Sequence, residues 1–316
     1  MPLDRRSRPA ASLLPVLLLA ACGASTAEGP GPSQAAASAA AADTASPFPL
    51  DRGGSAASPS TYKGLPLALV DNGEPSVDPV DGLIGLVCVG MSNASQECAD
   101  FAQKRRSILN AEVNPEVVVV NCAVGGHAIE RWIDPAFDAV LWDDCVARRL
   151  AAAGLALRHV RVVYHKAADA DTGAPGGGAR PAYPDPASDY FRFLDHLQAF
   201  AARVRQKFPA VQAVYTTSRS YGGFAGNAGR GEPLSFEEGL AQNAWLASHP
   251  VFDGVWFGWG PYIWAPDCAT GVTNASGTCY VRSDYVEDGV HPARGALDKV
   301  SAMIHARFLR HAWYRR

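Results

Sequence analysis

The chain is short of charge, and neither sign dominates. Asp and Glu number 31 and Lys and Arg 28 among 316 residues, a formal net charge of −3. The part that looks foldable carries no basic block, so a nucleic-acid partner, which needs clustered Lys and Arg, is not expected. No Cys-x-x-Cys and no His-x-x-x-His ligand pair occurs, which leaves a structural zinc site without its usual donors. Nothing in the residue pattern calls for a metal or an organic cofactor. No internal repeat is evident. Large apolar groups are scarce over residues 23–60, where Ala, Ser, Gly and Pro prevail. Such a stretch cannot bury enough surface to offset its ordering entropy and reads as a tether.

What precedes that tether is distinctive. Arg5, Arg6 and Arg8 form a basic start, and Leu13 to Ala21 a short apolar stretch, too short to span a bilayer as a mature helix. It ends in Leu19-Ala20-Ala21-Cys22, which resembles the lipobox of exported bacterial lipoproteins. The resemblance implies cleavage before Cys22, a lipid on Cys22 and attachment of the chain to a membrane, periplasmic or at the cell surface. The expected organisation is therefore a signal at 1–22, a tether at 23–60 and a single domain at 61–316.

Six further cysteines remain: Cys88, Cys98, Cys122, Cys145, Cys268 and Cys279. An even number in an exported chain points to disulfides, with fifteen possible pairings. Cys268 and Cys279 flank a Gly/Thr/Asn/Ser loop and are the favoured pair. The other four stay unassigned, and Cys88 and Cys122 also suit buried thiols in their apolar runs.

Short apolar runs alternate with longer amphipathic ones. Strands are expected at Leu83–Val89, Val117–Val120, Val160–Tyr164, Val211–Thr216 and within Val251–Trp259. Helices are expected at Ala94–Leu109, Phe137–Ala153, Tyr190–Phe208, Phe236–Ala247 and Gly295–His311, with Gly154 and Pro209 as stops. This alternation predicts a three-layer α/β/α sandwich around a five-stranded, mostly parallel sheet. Ligands of such sheets lie at the carboxyl ends of the strands.

The chemically suggestive residues stand just after those strands. Gly90-Met91-Ser92-Asn93 follows the first. It places a hydroxyl at the N-terminus of a helix, where free N–H groups can hold a developing negative charge. Asn121-Cys122-Ala123-Val124-Gly125-Gly126-His127 follows the second, and paired glycines permit close backbone approach. Asp288-Gly289-Val290-His291-Pro292 precedes the last helix. On one loop, a carboxylate can orient an imidazole that takes and returns a serine proton. Each segment taken singly also fits a helix cap or a plain turn.

Taken in chain order, these three blocks resemble the SGNH, or GDSL-like, hydrolase family over about residues 82–311. The resemblance implies a flavodoxin-like hydrolase fold, with Ser92 as nucleophile and Asp288 and His291 as its acid and base. The oxyanion hole would be formed by the N–H groups of Ser92 and Gly126. Two departures stand out. The usual Gly-Asp-Ser is Gly90-Met91-Ser92, and the asparagine expected after the third strand is absent. Lys166, in Tyr164-His165-Lys166-Ala167, stands near its place as a substitute donor, a contact for substrate charge or a surface residue.

Thr217-Ser218-Arg219-Ser220-Tyr221-Gly222-Gly223 after the fourth strand makes Arg219 and Tyr221 candidate substrate contacts. Trp259 belongs to an aromatic run, Trp256, Trp259, Tyr262 and Trp264, that suits either a sugar ring or packing. The expected activity is removal of O-acyl groups, acetyl first, from an extracellular carbohydrate. A non-catalytic glycan-binding module and an O-acyltransferase are the alternatives.

Overall fold

Apolar residues run almost unbroken through Ile84–Gly90 (β1), and every residue of that strand is buried. Such a run fits a parallel sheet covered on both faces, since neither side of the strand meets water. Val117–Asn121 (β2), Val160–Lys166 (β3), Ala213–Thr216 (β4) and Val255–Trp259 (β6) join it in parallel. The two-residue Val251–Phe252 (β5) adds an antiparallel edge, giving the order β2-β1-β3-β4-β6-β5. The computed structural model describes residues 61–316 apart from 63–64, 108, 167 and 171–179. The expected signal, Cys22 and the tether therefore lie outside the described residues.

The sheet has six strands where the sequence suggests five. The cause is local. Asp253 and Gly254 take φ of 49° and 75°, the left-handed pair of a tight hairpin turn, and fold Val251–Phe252 back onto β6. Asp-Gly between two apolar pairs is the signal that divides this segment in two.

Alternate residues of each strand face opposite layers. Ile84, Leu86, Cys88, Val162, Tyr164 and Tyr215 pack with Phe101, Val300, Ile304 and Phe308. Those partners come from Ser92–Ser107 (α1) and Arg294–Phe308 (α4). Val87, Val89, Val163 and Val214 pack with Phe193, Leu197, Phe200, Phe236 and Leu246. These come from Asp189–Lys207 (α2) and Leu234–Ser248 (α3). The result is the expected three-layer α/β/α arrangement, with flavodoxin-like strand order. The chain leaves β1 toward β2 and returns to β3 on the other side of β1. The reversal opens a crevice at the carboxyl ends of β1 and β3, where such folds bind ligands.

Three disulfides join Cys88 to Cys98, Cys122 to Cys145 and Cys268 to Cys279. They span 10, 23 and 11 residues, so each stabilises the fold by about 3 kcal/mol on loop-closure grounds. The long segment after β6 is tied down by more than its own disulfide. Ile263, Trp264, Ala265 and Tyr280 are all buried within it. Among the described residues no helix is long and apolar enough to cross a membrane.

Candidate active site

The site begins where β1 ends. Gly90 has φ +142°, and a Cβ there would lie 1.8 Å from the carbonyl oxygen of Lys166 on β3. Only glycine fits at that approach. The chain then turns through Met91 into α1, where the Ser95 N–H donates to the Met91 carbonyl at 2.9 Å. The amides of Ser92 and Asn93 thus precede the first helical bond and remain available, as at any helix N-terminus. Neighbours hold this turn in place. The Asn93 side-chain amide donates to the Val290 carbonyl at 2.9 Å, and that of Asn121 on β2 to the Ser95 carbonyl at 2.7 Å.

The segment preceding α4 is shaped independently to meet it. Val286 N–H donates to the His291 carbonyl and Gly289 N–H to that of Val286, each at 3.0 Å. Gly289 has φ +68°, and a Cβ on it would strike the Phe224 carbonyl at 1.7 Å. Asp288 Oδ1 accepts the N–H groups of Val290 and His291 at 2.8 and 2.9 Å. Its Oδ2 faces His291 Nδ1 at 2.5 Å, and His291 Nε2 lies 2.8 Å from Ser92 Oγ. The carboxylate can only accept, so Nδ1 carries the proton and Nε2 is the acceptor for the serine hydroxyl. Partial burial tends to raise the Asp288 pKa. The hydrogen bonds from His291 and the two backbone amides outweigh it and hold the group at about 2. Residues 92, 288 and 291 thus form one continuous hydrogen-bonded chain.

The loop after β2 closes the third side. Val124 N–H donates to the Gly90 carbonyl at 2.9 Å. Gly125 sits against Ser92, with a Cβ built there 3.7 Å from the serine Cβ. Gly126 has φ +76° and open space beside it. Neither glycine N–H donates to a protein acceptor among the described residues.

The remaining candidates divide. Lys166, Arg219 and Tyr221 line a small pocket with Met91, Asn93, Ser220, Gly222, Arg230, Gly289 and Val290, which include the chain neighbours of Ser92 and His291. Its room, about 20 Å³, holds one or two waters. Lys166 is fully buried and its ammonium donates to Glu97 Oε1 at 2.5 Å. Burial pushes Glu97 up and Lys166 down, drawing both toward their neutral forms. Arg219 donates to the Arg230 carbonyl at 3.1 Å and faces Glu238 at 3.5 Å. Trp259 is not part of this group. It is buried, its indole N–H donates to Asn243 at 3.0 Å, and it lines a separate cavity of about 300 Å³ with Leu69, Val70 and Arg307.

Sequence reasoning missed Glu97, although it falls on the buried stripe of α1 with Ala94, Cys98 and Phe101. It also missed a partly buried cluster beyond the end of β3, in which only Asp169 is fully buried. Glu130, Asp169 and His196 bring one donor atom each within 4.8 Å of one another. The group is already neutralised by protein cations. Arg192 pairs with Glu130 at 3.0 Å and with Asp169 at 3.5 Å, and His196 meets Asp169 at 2.6 Å. Burial would lower the His196 pKa, but the Asp169 carboxylate raises it on balance, which favours the charged imidazole.

Fold and site together define a doubly wound α/β protein with a hydrogen-bonded Ser-His-Asp chain at its switch point. No family model and no curated protein matches the chain. Among solved structures, it is similar to the lipase/acylhydrolase from Enterococcus faecalis, at 13% identity and TM-score 0.41, covering 72% of this chain and 96% of the other. It is similar to a GDSL-like lipase from Bacteroides thetaiotaomicron, at 13% identity and TM-score 0.38 over 73% and 90% of the two chains. A variant of an acetyl xylan esterase from Geobacillus stearothermophilus gives 12% identity and TM-score 0.37 over 72% and 95%.

Proposed function

We propose that this chain is a serine ester hydrolase in which Ser92 is the nucleophile, His291 the general base and acid, and Asp288 the group that orients the imidazole. The observation that carries the reading is the pair of contacts at His291, 2.8 Å to Ser92 Oγ and 2.5 Å to Asp288 Oδ2. Nε2 takes the hydroxyl proton as Oγ attacks the ester carbonyl. The imidazolium then returns it to the leaving alcohol, and an acyl-enzyme remains. Water, deprotonated by the same nitrogen, releases the acid. The N–H groups of Ser92 and Gly126 form the oxyanion hole, each worth about 3–4 kcal/mol in the transition state. Lys166 is not assigned to the hole: its buried ammonium is directed to Glu97 Oε1 at 2.5 Å and Ser220 Oγ at 3.4 Å.

Short acyl groups suit the site best. The small pocket lined by Met91, Asn93, Lys166, Arg219 and Ser220, which includes the chain neighbours of Ser92, supports this, since about 20 Å³ leaves no room for a long alkyl chain. An acetyl ester is the substrate we assign, carried by an extracellular carbohydrate reached from a lipid anchor at Cys22. Hydrolysis of 4-nitrophenyl esters of two to twelve carbons, together with acetylated xylan oligomers, tests this. The expected result is a rate that falls with acyl length and vanishes in Ser92→Ala. Activity retained in Ser92→Ala, or a preference for the long esters, contradicts it.

A further inference from the structure

The disulfide between Cys88 and Cys98 encloses the nucleophile. Cys88 is the fifth residue of β1, Cys98 lies in the second turn of α1, and the ring they close contains Gly90, Met91 and Ser92. Both cysteines are buried. The N-terminus of α1 is therefore tied covalently to the strand that precedes it, across the turn that carries the hydroxyl. Its polar ties run to other elements, from Glu97 to Lys166 on β3, from Ser95 to Asn121 on β2 and from Asn93 to Val290 beside His291. We infer that Cys88 and Cys98 are positioning residues for the reaction: their disulfide sets the height of Ser92 and its amide against His291 Nε2, and its reduction lowers turnover without unfolding the domain. This rests on the proposed role of Ser92. Attack geometry is sensitive enough for the effect to be large, since a displacement of about 1 Å at a reacting group can cost about a hundredfold in rate.

The molecule supplies its own control. Cys268–Cys279 spans 11 residues against 10 for Cys88–Cys98, so removing either loses nearly the same loop-closure entropy. None of residues 268–279 lines the pocket beside Ser92. The test compares Cys88→Ala/Cys98→Ala with Cys268→Ala/Cys279→Ala, reading melting temperature, kcat and KM on 4-nitrophenyl acetate below both melting points. Similar losses of melting temperature are expected. A fall in kcat of about tenfold or more, with KM within about threefold, is expected only for the first pair.

If the first double variant does not accumulate folded, Cys88→Val/Cys98→Ala keeps more of the buried volume. The native chain can also be reduced with dithiothreitol, which delivers two electrons and two protons to the disulfide and becomes the cyclic disulfide itself. Loss of turnover should then parallel alkylation of Cys88 and Cys98 while circular dichroism holds. Equal kcat in the two double variants, or full turnover after both thiols are alkylated, overturns the inference and leaves the Ser92 reading intact. A wild-type chain that cleaves no ester removes both.

Discussion

Replacing Gly90 by alanine is the sharpest structural perturbation of the site. The added methyl would lie 1.8 Å from the Lys166 carbonyl oxygen and 2.8 Å from its carbon. Carbon–oxygen contacts under 3.0 Å are essentially never seen for a Cβ, so β1 and β3 must separate by about 1.2 Å or more. Neither partner can swing aside, because both are backbone within paired strands. The φ of +142° adds strain for any L side chain. Overpacking and backbone strain each cost about 1–3 kcal/mol, so a total of about 3–5 kcal/mol is expected. The displacement is borne by the residue two positions before Ser92, and about a hundredfold in kcat/KM should go with it. Denaturant unfolding and 4-nitrophenyl acetate hydrolysis measure the two effects. Gly254→Ala is the control: its φ of +75° is also unfavourable, but nothing lies within 4 Å, so about 1 kcal/mol and unchanged turnover are expected. Gly90→Ala with less than about 1 kcal/mol lost and wild-type turnover would refute the reasoning.

Other outcomes follow from the same contacts. Asp288→Asn should lower kcat by about 10⁴-fold, because an amide can present a donor to His291 Nδ1 and so stabilise the wrong tautomer; saturation kinetics check this. Lys166→Met leaves Glu97 buried without its partner and should cost about 3–5 kcal/mol, whereas Lys166→Met with Glu97→Leu should recover most of it; a denaturant double-mutant cycle measures both. Burial, with Asp169 nearby, raises Asp189 to about 7 in the folded chain from an ordinary value of 3.8. A raised acid favours the folded state below its unfolded value and loses that contribution as pH climbs through its folded value. Stability should therefore decline between about pH 4 and 7, and Asp189→Asn should flatten the decline in melting scans.

The layers of the fold were legible because the signal was periodic. Val117–Val120 and Val160–Tyr164 are too β-branched and too short for helices, and Pro209 marks a stop that the chain obeys. The helix expected over Phe137–Ala153 is instead a 3-10 segment at Pro135–Val140, a short α segment at Trp142–Asp144 and a π-helix at Cys145–Leu150. The edge strand was hidden because Val251–Phe252 has only two residues and is defined by its turn, not by its own pattern. The segments bearing Ser92, Gly126, Asp288 and His291 could be read as local motifs, since each sits in a turn with its own glycines. What could not be read was pairing across space. Cys88–Cys98 and Cys122–Cys145 depend on helices docking over particular strands. Glu97 meets Lys166 only because α1 lies over β3, and Trp259 turns inward because Asn243 on α3 accepts its indole N–H.

The most direct measurement is covalent capture. A fluorophosphonate reacts only with a serine whose hydroxyl is activated and whose developing oxyanion is held, so peptide mass spectrometry after labelling reads the site itself. One adduct per chain is expected, on Ser92, with no adduct on the chain in Ser92→Ala and a much slower reaction in His291→Ala. An unlabelled wild-type chain, or an adduct on another serine, would contradict the account.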